Sequence, residues 1–276
     1  MAVQRVLWVD RTSGTAVRRD AADIPAMLAD PSGWLWLDVP EPDEQTGVLL
    51  SEAFGAHPAA VADVLERNHV PRLHVYGHTL LLILQRPLAG EGGHIHYLEF
   101  DQLVGPGFLV TTHGPRNPVV PLELLLQETE DLAERMLSGR RVPSGPWEAS
   151  HRIVSSLTIA QERQVNGLAR DVGGLEQRVM AQRSDAHPEA LLEDLFRTRH
   201  MLLTLGTMAG QAAEIYGRAV RLLGDDAGAG EFLRDSKDAY VRLSRIAGSQ
   251  LDYLSGVTEY YRARTDTKMT IAAERL

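Results

Sequence analysis

The apolar positions along the chain fall into two regimes. Up to about residue 115 they come in short runs punctuated by Gly and Pro, and from about residue 118 they recur at helical spacing. In the first regime, residues 6–9 and 34–39 are apolar and aromatic, and Gly33, Pro40 and Pro42 bound the second run, so both read as strands. Asp43 is placed to N-cap a helix that runs through Phe54 and ends at Gly55. Pro58 opens a second helix with Val61, Val64 and Leu65 on one face. Residues 72–75, 78–85, 97–104 and 108–112 then read as strands, with Gly77, residues 90–93 and residues 105–107 in the turns.

In the second regime, Pro118 and Pro121 open a helical pattern that reaches about Leu137, and residues 139–145 form a loop. From Trp147 the pattern breaks only at 184–188 and 225–230. That predicts three long helices, over roughly 147–183, 188–223 and 230–276, the first two long enough for an antiparallel hairpin. No internal repeat is evident. In the third helix Leu243, Ile246, Gln250, Tyr253, Val257 and Tyr260 alternate spacings of three and four, a heptad seam that polar Gln250 weakens and Arg264 would end. At 1.5 Å per residue such a helix spans roughly 70 Å, too long to bury against one small domain. It reads as a stalk.

Beside the seam, Asp238, Asp252, Glu259 and Asp266 are spaced in multiples of seven, with Arg245 filling the gap. All share one helix face. On an ordinary long helix this is a solvated acidic face. The other reading is a carboxylate column that meets a cation or a neighbouring subunit. If copies of the helix bundled about an axis, the carboxylates would repel, and a divalent cation would offset the repulsion.

Composition narrows the chemistry. Of 276 residues, 44% are hydrophobic and 24% charged, ordinary for a globular chain that can bury a sizeable core. The net charge of −9 gives nucleic-acid binding no support. There is no cysteine, so disulfides, thiolate metal sites and cysteine nucleophiles are excluded. The N-terminus lacks a cleavable apolar segment, and the longest apolar runs, such as 80–84, fall far short of the ~20 residues of a membrane helix. No Ser-His-Asp arrangement, phosphate-binding loop or dinucleotide fingerprint appears, so no enzyme is expected. The nearest approach to a metalloenzyme is His94 and His96 on one strand with Glu99 and Asp101 near, or the loose group His69, His74 and His78. Two exposed histidines beside a glycine loop are the plainer reading.

Three stretches resemble a known family. Residues 36–84, WLDVPEPDEQTGVLLSEAFGAHPAAVADVLERNHVPRLHVYGHTLLLIL, look like the N-terminal domain of CorA-type magnesium/cobalt transporters. FLVTTH at 108–113 is similar to the strand that follows in that family. YLSGVTEYYRARTDTKMTIAAERL at 253–276 resembles the end of its stalk helix, just before the first membrane helix. The three stretches occur in the family's order and spacing. The family's GMN pore motif lies beyond that membrane helix, so the sequence, which stops at Leu276, reads as the part before it.

The resemblance implies an α+β fold: an α/β/α N-terminal domain with a mixed sheet over 1–145, then a helical hairpin and a long stalk helix over 146–276. It also implies the cytoplasmic regulatory domain of a homopentameric cell-membrane transporter for Mg²⁺, with Co²⁺ as a second candidate ion. Identical subunits and metal ions are the expected partners, and the membrane is met only through the absent segment. Regulatory Mg²⁺ is implied between subunits, at Asp63 of one and Glu259 of the stalk of another. A second intersubunit site would use Asp235, but Ala62 and the region of Ile159 and Ala160 lack its other acids, so that site is expected to be weak or absent. A ZntB-like zinc transporter shares the fold and is the closest alternative. A purely structural module is the third.

Overall fold

The computed structural model describes residues 5–181, 188–223 and 228–274. Seven strands, β1 (Arg5–Asp10), β2 (Thr15–Arg18), β3 (Gly33–Val39), β4 (Arg72–Tyr76), β5 (Thr79–Ala89), β6 (Ile95–Gly105) and β7 (Phe108–Thr112), form one sheet in the order β2-β1-β3-β7-β6-β5-β4. Neighbours are antiparallel except β3 and β7, which run parallel. The sheet is therefore mixed.

Period-2 alternation sends β3 side chains to two different cores. Trp34 and Trp36 face one side, with Leu82, Phe100 and the long helices; Leu35 and Leu37 face the other, with Leu81, Ile83 and Leu103. Gly33 opens β3 because a Cβ there would come within 2.3 Å of the Trp8 ring and 2.4 Å of the Val9 carbonyl. Three short helices, α1 (Ile24–Ala29), α2 (Glu44–Glu52) and α3 (Pro58–Leu65), cover the second face through Ile24, Leu50, Ala60 and Val64. As expected, Asp43 caps α2: its carboxylate accepts from Thr46 N at 2.9 Å, and Thr46 Oγ1 accepts from Asp43 N at 3.1 Å.

Helices α4 (Leu122–Leu137), α5 (Pro146–Met180), α6 (Pro188–Leu223) and α7 (Ala229–Ala273) lie on the first face. Arg178 of α5 pairs with Asp194 of α6, and Gln164 reaches Met201, so α5 and α6 are antiparallel. His151 meets Ser236, Glu162 meets Arg242, and Arg264 meets Val179 at the far end of α5, so α5 and α7 are parallel. The α6–α7 packing is more extensive than the α5–α6 packing. Small residues explain this, since Gly206 and Gly210 of α6 lie against Ala247 and Ser244 of α7. The fold is thus the expected α/β/α arrangement with a helical hairpin and a 45-residue last helix, roughly 67 Å long.

Beside shifts of two residues at the end of α2 and the start of β6, four details differ from the sequence expectation. Strand β2 and helix α1 were not predicted; one is a mostly exposed edge strand of four residues, and the other buries only Ile24 and Met27. Strand β5 begins at Thr79 rather than 78 and continues past Gln85 to Ala89, through Pro87. Its partner β4 ends opposite Ile83, so Pro87 sits where β5 has a neighbour on one side only, and the missing N–H costs no ladder bond there. The stalk seam also has another register. Its buried residues are Leu233, Tyr240, Leu243, Ala247, Leu254 and Val257, whereas Tyr253 and Tyr260 are 46% and 48% exposed. Leu243 and Val257 of the expected seam are buried and Ile246 packs at its edge, but Gln250 is only half-buried and the seam turns toward Ala247, where Gly206 of α6 admits close approach, and on to Leu254. The expected ends of the first and third long helices, at 183 and 276, lie outside the described residues.

Candidate metal site

Asp63 lies on α3. Pro58 at the first position and the His57 side chain, which accepts from Ala59 N at 3.2 Å, start this helix. Its far end is fixed by Asn68, whose Nδ2 donates to the carbonyls of Asp63 (2.8 Å) and Glu66 (3.2 Å), satisfying groups that a helix terminus leaves open. Asn68 is itself buried. It donates through N and Nδ2 to the two Glu99 oxygens at 2.7 and 2.9 Å, and its carbonyl accepts from Gln85 Nε2 at 3.0 Å. Asp63 is therefore positioned by a buried polar network rooted in β5 and β6. Gly114 closes that network: its φ of +63° is left-handed, and a Cβ would come within 2.8 Å of Glu99 Cβ.

The Asp63 side chain is 18% exposed. Arg72 Nη1 donates to its Oδ1 at 3.3 Å, and His74 Nε2 stands 3.3 Å from Oδ2 without making a hydrogen bond. Glu259 is exposed on α7, in a groove between α6 and α7 that Leu192, Phe196, Arg199 and Arg262 also line. Asp235 is exposed near the start of the same helix, 24 residues from Glu259 and so roughly 36 Å away along the axis. Its charge favours the protonated form of His151, though burial outweighs this and holds His151 below the usual imidazole value. Helix α3 packs on one face of the sheet and α7 on the other. A single chain thus does not bring Asp63, Glu259 and Asp235 together, and among the described residues no group of three or more His, Asp or Glu side chains is arranged to hold a metal ion. Asp238, Arg245, Asp252, Glu259 and Asp266 are all exposed, as a solvated stripe requires.

The histidine–carboxylate alternative loses its acids. His94 precedes β6 and meets His96 edge-to-face at 4.7 Å. Glu99 and Asp101 alternate to the opposite face from His96, under α3. Burial raises the Glu99 carboxyl despite the Asn68 donors. It raises Asp101 further, with the Glu99 charge adding to the effect and one hydrogen bond from Thr112 opposing it. Asp101 Oδ1 is buried without a hydrogen-bond partner, which fits a neutral acid.

A second buried network lies on the other face. Asp38 Oδ1 accepts from Thr111 Oγ1 at 2.6 Å and lies 3.0 Å from His113 Nε2; Oδ2 accepts from Arg5 Nη1 at 3.1 Å. Trp36 Nε1 donates to Thr111 Oγ1 at 3.0 Å. Burial alone would raise the Asp38 carboxyl, but the His113 charge, the bonds from His113 and Thr111, and Arg5 outweigh it and hold it below the usual value. Sequence reading singled out none of Asn68, Arg72, Asp38 or His113. The available signal was the polar residues ending or interrupting apolar strand runs, as in WLDV, YLEFDQ and FLVTTH.

These features define a class: a sheet-centred α/β/α body carrying a long stalk helix, with acids on separated outer surfaces. The chain belongs to the CorA-like Mg²⁺ transporter protein family, whose match covers residues 31–276. Solved structures share its fold. The full-length CmaX protein aligns with a TM-score of 0.79 at 16% identity, over 99% of this chain and 81% of that one. The complete CorA magnesium transporter from Methanocaldococcus jannaschii aligns at 0.75 and 14%, over 98% and 80%. The ZntB cytoplasmic domain from Vibrio parahaemolyticus RIMD 2210633 aligns at 0.72 and 12%, over 97% and 100%. No curated protein matches the sequence. Among the described residues no helix is long and apolar enough to cross a membrane.

Proposed function

We propose that this chain is the cytoplasmic regulatory part of a divalent-cation transporter in the cell membrane, that it assembles as a homopentamer, and that Mg²⁺ bound between subunits at Asp63 and Glu259 holds the closed state. The observation that carries this reading is the separation of the two acids. Each sits on an outer surface of its own chain, Asp63 braced from behind by Asn68 and Glu99, so a cation shared by both has to bridge two copies. The donors fit the ion: Mg²⁺ takes hard oxygen ligands, keeps several waters and needs only one or two carboxylates. Asp235 is the corresponding acid of a second, weaker site. Falling Mg²⁺ empties the shared site and leaves like charges to separate the stalks, a shift set by the metal's differential affinity for the two states.

The likeness to a ZntB cytoplasmic domain supports a second reading, in which Zn²⁺ is the transported ion; Co²⁺ is a further candidate cargo. Titrating the chain with Mg²⁺, Co²⁺ and Zn²⁺, while following association by sedimentation velocity and stability by thermal unfolding, separates them. Mg²⁺ is expected to raise both, and Asp63→Ala to abolish the response. An unchanged response in Asp63→Ala overturns the assignment of Asp63, and a response to Zn²⁺ alone favours the second reading.

A further inference from the structure

Arg72 and His74 both come from β4, the strand at the end of the sheet, and stand two residues apart, so they point to the same side. Their register partners are Ile83 and Leu81, whose side chains lie in the core beneath α3. That side is where Asp63 projects. Its carboxylate therefore already has a cation of its own chain: Arg72 donates to one oxygen at 3.3 Å.

We propose that Arg72 is a built-in competitor of the divalent cation at Asp63, and that it sets the concentration at which the metal is taken up. The inference rests on the reading of Asp63 as a cation ligand. A metal can use the Asp63 oxygen fully only by displacing the guanidinium, so the ion pair is subtracted from metal affinity. A guanidinium is always charged, so its effect does not depend on pH near neutrality. Arg72 is 45% exposed, which keeps the pair in the weak range of solvent-screened ion pairs. The corresponding change in half-saturating metal is about two- to fivefold. Arg72 acts through Asp63 rather than on the metal, and is a positioning residue.

The test is the Mg²⁺ concentration that gives half the maximal rise in thermal unfolding midpoint and half-maximal association of the full chain. It is compared for the parent, Arg72→Gln, Arg72→Lys, Asp63→Asn and the double variant Asp63→Asn/Arg72→Gln. A cooperative unfolding transition in the absence of metal establishes that each variant folds. Arg72→Gln is expected to respond at about two- to fivefold lower Mg²⁺, Arg72→Lys to stay near the parent, and Asp63→Asn to lose the response with or without Arg72. If Asp63→Asn abolishes the response but Arg72→Gln leaves the half-point where it was or raises it, the competitor role is wrong and the Asp63 reading stands. If Arg72→Gln shifts a response that persists in the Asp63→Asn background, Arg72 acts as a general surface charge and the inference fails. If Asp63→Asn responds like the parent, the reading and the inference fall together.

Discussion

Asp38 and His113 stand 75 residues apart in sequence and meet at 3.0 Å inside the protein, each side chain only 1% exposed. Strands β3 and β7 lie side by side, and Asp38 is the register partner of Thr111, so the WLDV and FLVTTH stretches end at the same place. Because the carboxylate is held ionised and accepts only, His113 must carry a proton on Nε2. With Thr111 and Arg5 also donating, a buried charge is satisfied on both oxygens.

Asp38→Asn is expected to destabilise the chain by about 3 kcal/mol near pH 7, since it leaves the Arg5 guanidinium and the His113 donor facing a neutral amide. The sign with pH follows from the lowered carboxyl. A group whose folded pKa lies below its unfolded one contributes stability above the unfolded value and loses it as pH falls through the folded value. Parent and variant should therefore converge in acid, below pH 3.8. Urea unfolding at neutral and acid pH measures the gap; a gap that stays constant down to the folded pKa would show that the charge is not its source.

Asp101 should behave in the opposite sense. Its carboxyl is raised by burial first and by Glu99 next, so the folded chain keeps the proton that the unfolded chain releases near 3.8. Stability attributable to this group is then highest below that value and declines as pH rises toward the folded pKa. Asp101→Asn keeps the shape and the bond from Thr112 and removes the titration. It is expected to gain on the parent steadily as pH increases, and to be more stable than the parent at neutral pH by thermal unfolding. Equal pH slopes in the two proteins would count against a raised Asp101.

The stalk register gives a third expectation. Leu254 is fully buried and Tyr260 about half exposed. Leu254→Ala should cost about 3 kcal/mol through lost burial and an unfilled cavity, and Tyr260→Ser less than about 0.5 kcal/mol, both by chemical denaturation of dilute chain. The order expected from the sequence seam, with Tyr260 the costlier, is the result that would contradict this packing.

Strong periodicity made the α2, α3 and β3 elements and the three long helices readable, because each buries a continuous apolar face and carries its own start signal, such as Asp43 or Pro58. What stayed hidden was set by distant residues. Strand β2 exists because β1 offers it a ladder, and its own four residues bury almost nothing. The seam turned toward Ala247 because Gly206 admits close approach there, which α7 alone does not encode. The candidate acids Asp63 and Glu259 were visible through resemblance. The Asn68 brace and the Arg72 counterion were not, since both depend on β4, β5 and β6 lying beneath α3.

Arg264 looked like the end of the heptad seam, and its position gives it a different role. Its guanidinium donates to the Val179 carbonyl in the last turn of α5 and, at 3.0 Å, to that of Ala181, the residue that caps its end. The final carbonyls of a helix have no partner within it and carry the negative end of its dipole, so a cation from a neighbouring helix satisfies both needs. Because α5 and α7 are parallel, the bond also ties the two helices at a point well down the stalk. Arg264→Ala is expected to cost about 1 kcal/mol and to free the last turn of α5, with faster amide exchange over residues 175–180 and unchanged exchange in β3. Arg264→Lys should recover part of the loss, since a point charge keeps the dipole interaction and gives up the fork that reaches two carbonyls. Uniform exchange across α5 in parent and Arg264→Ala would mean that the cap is not what holds that end.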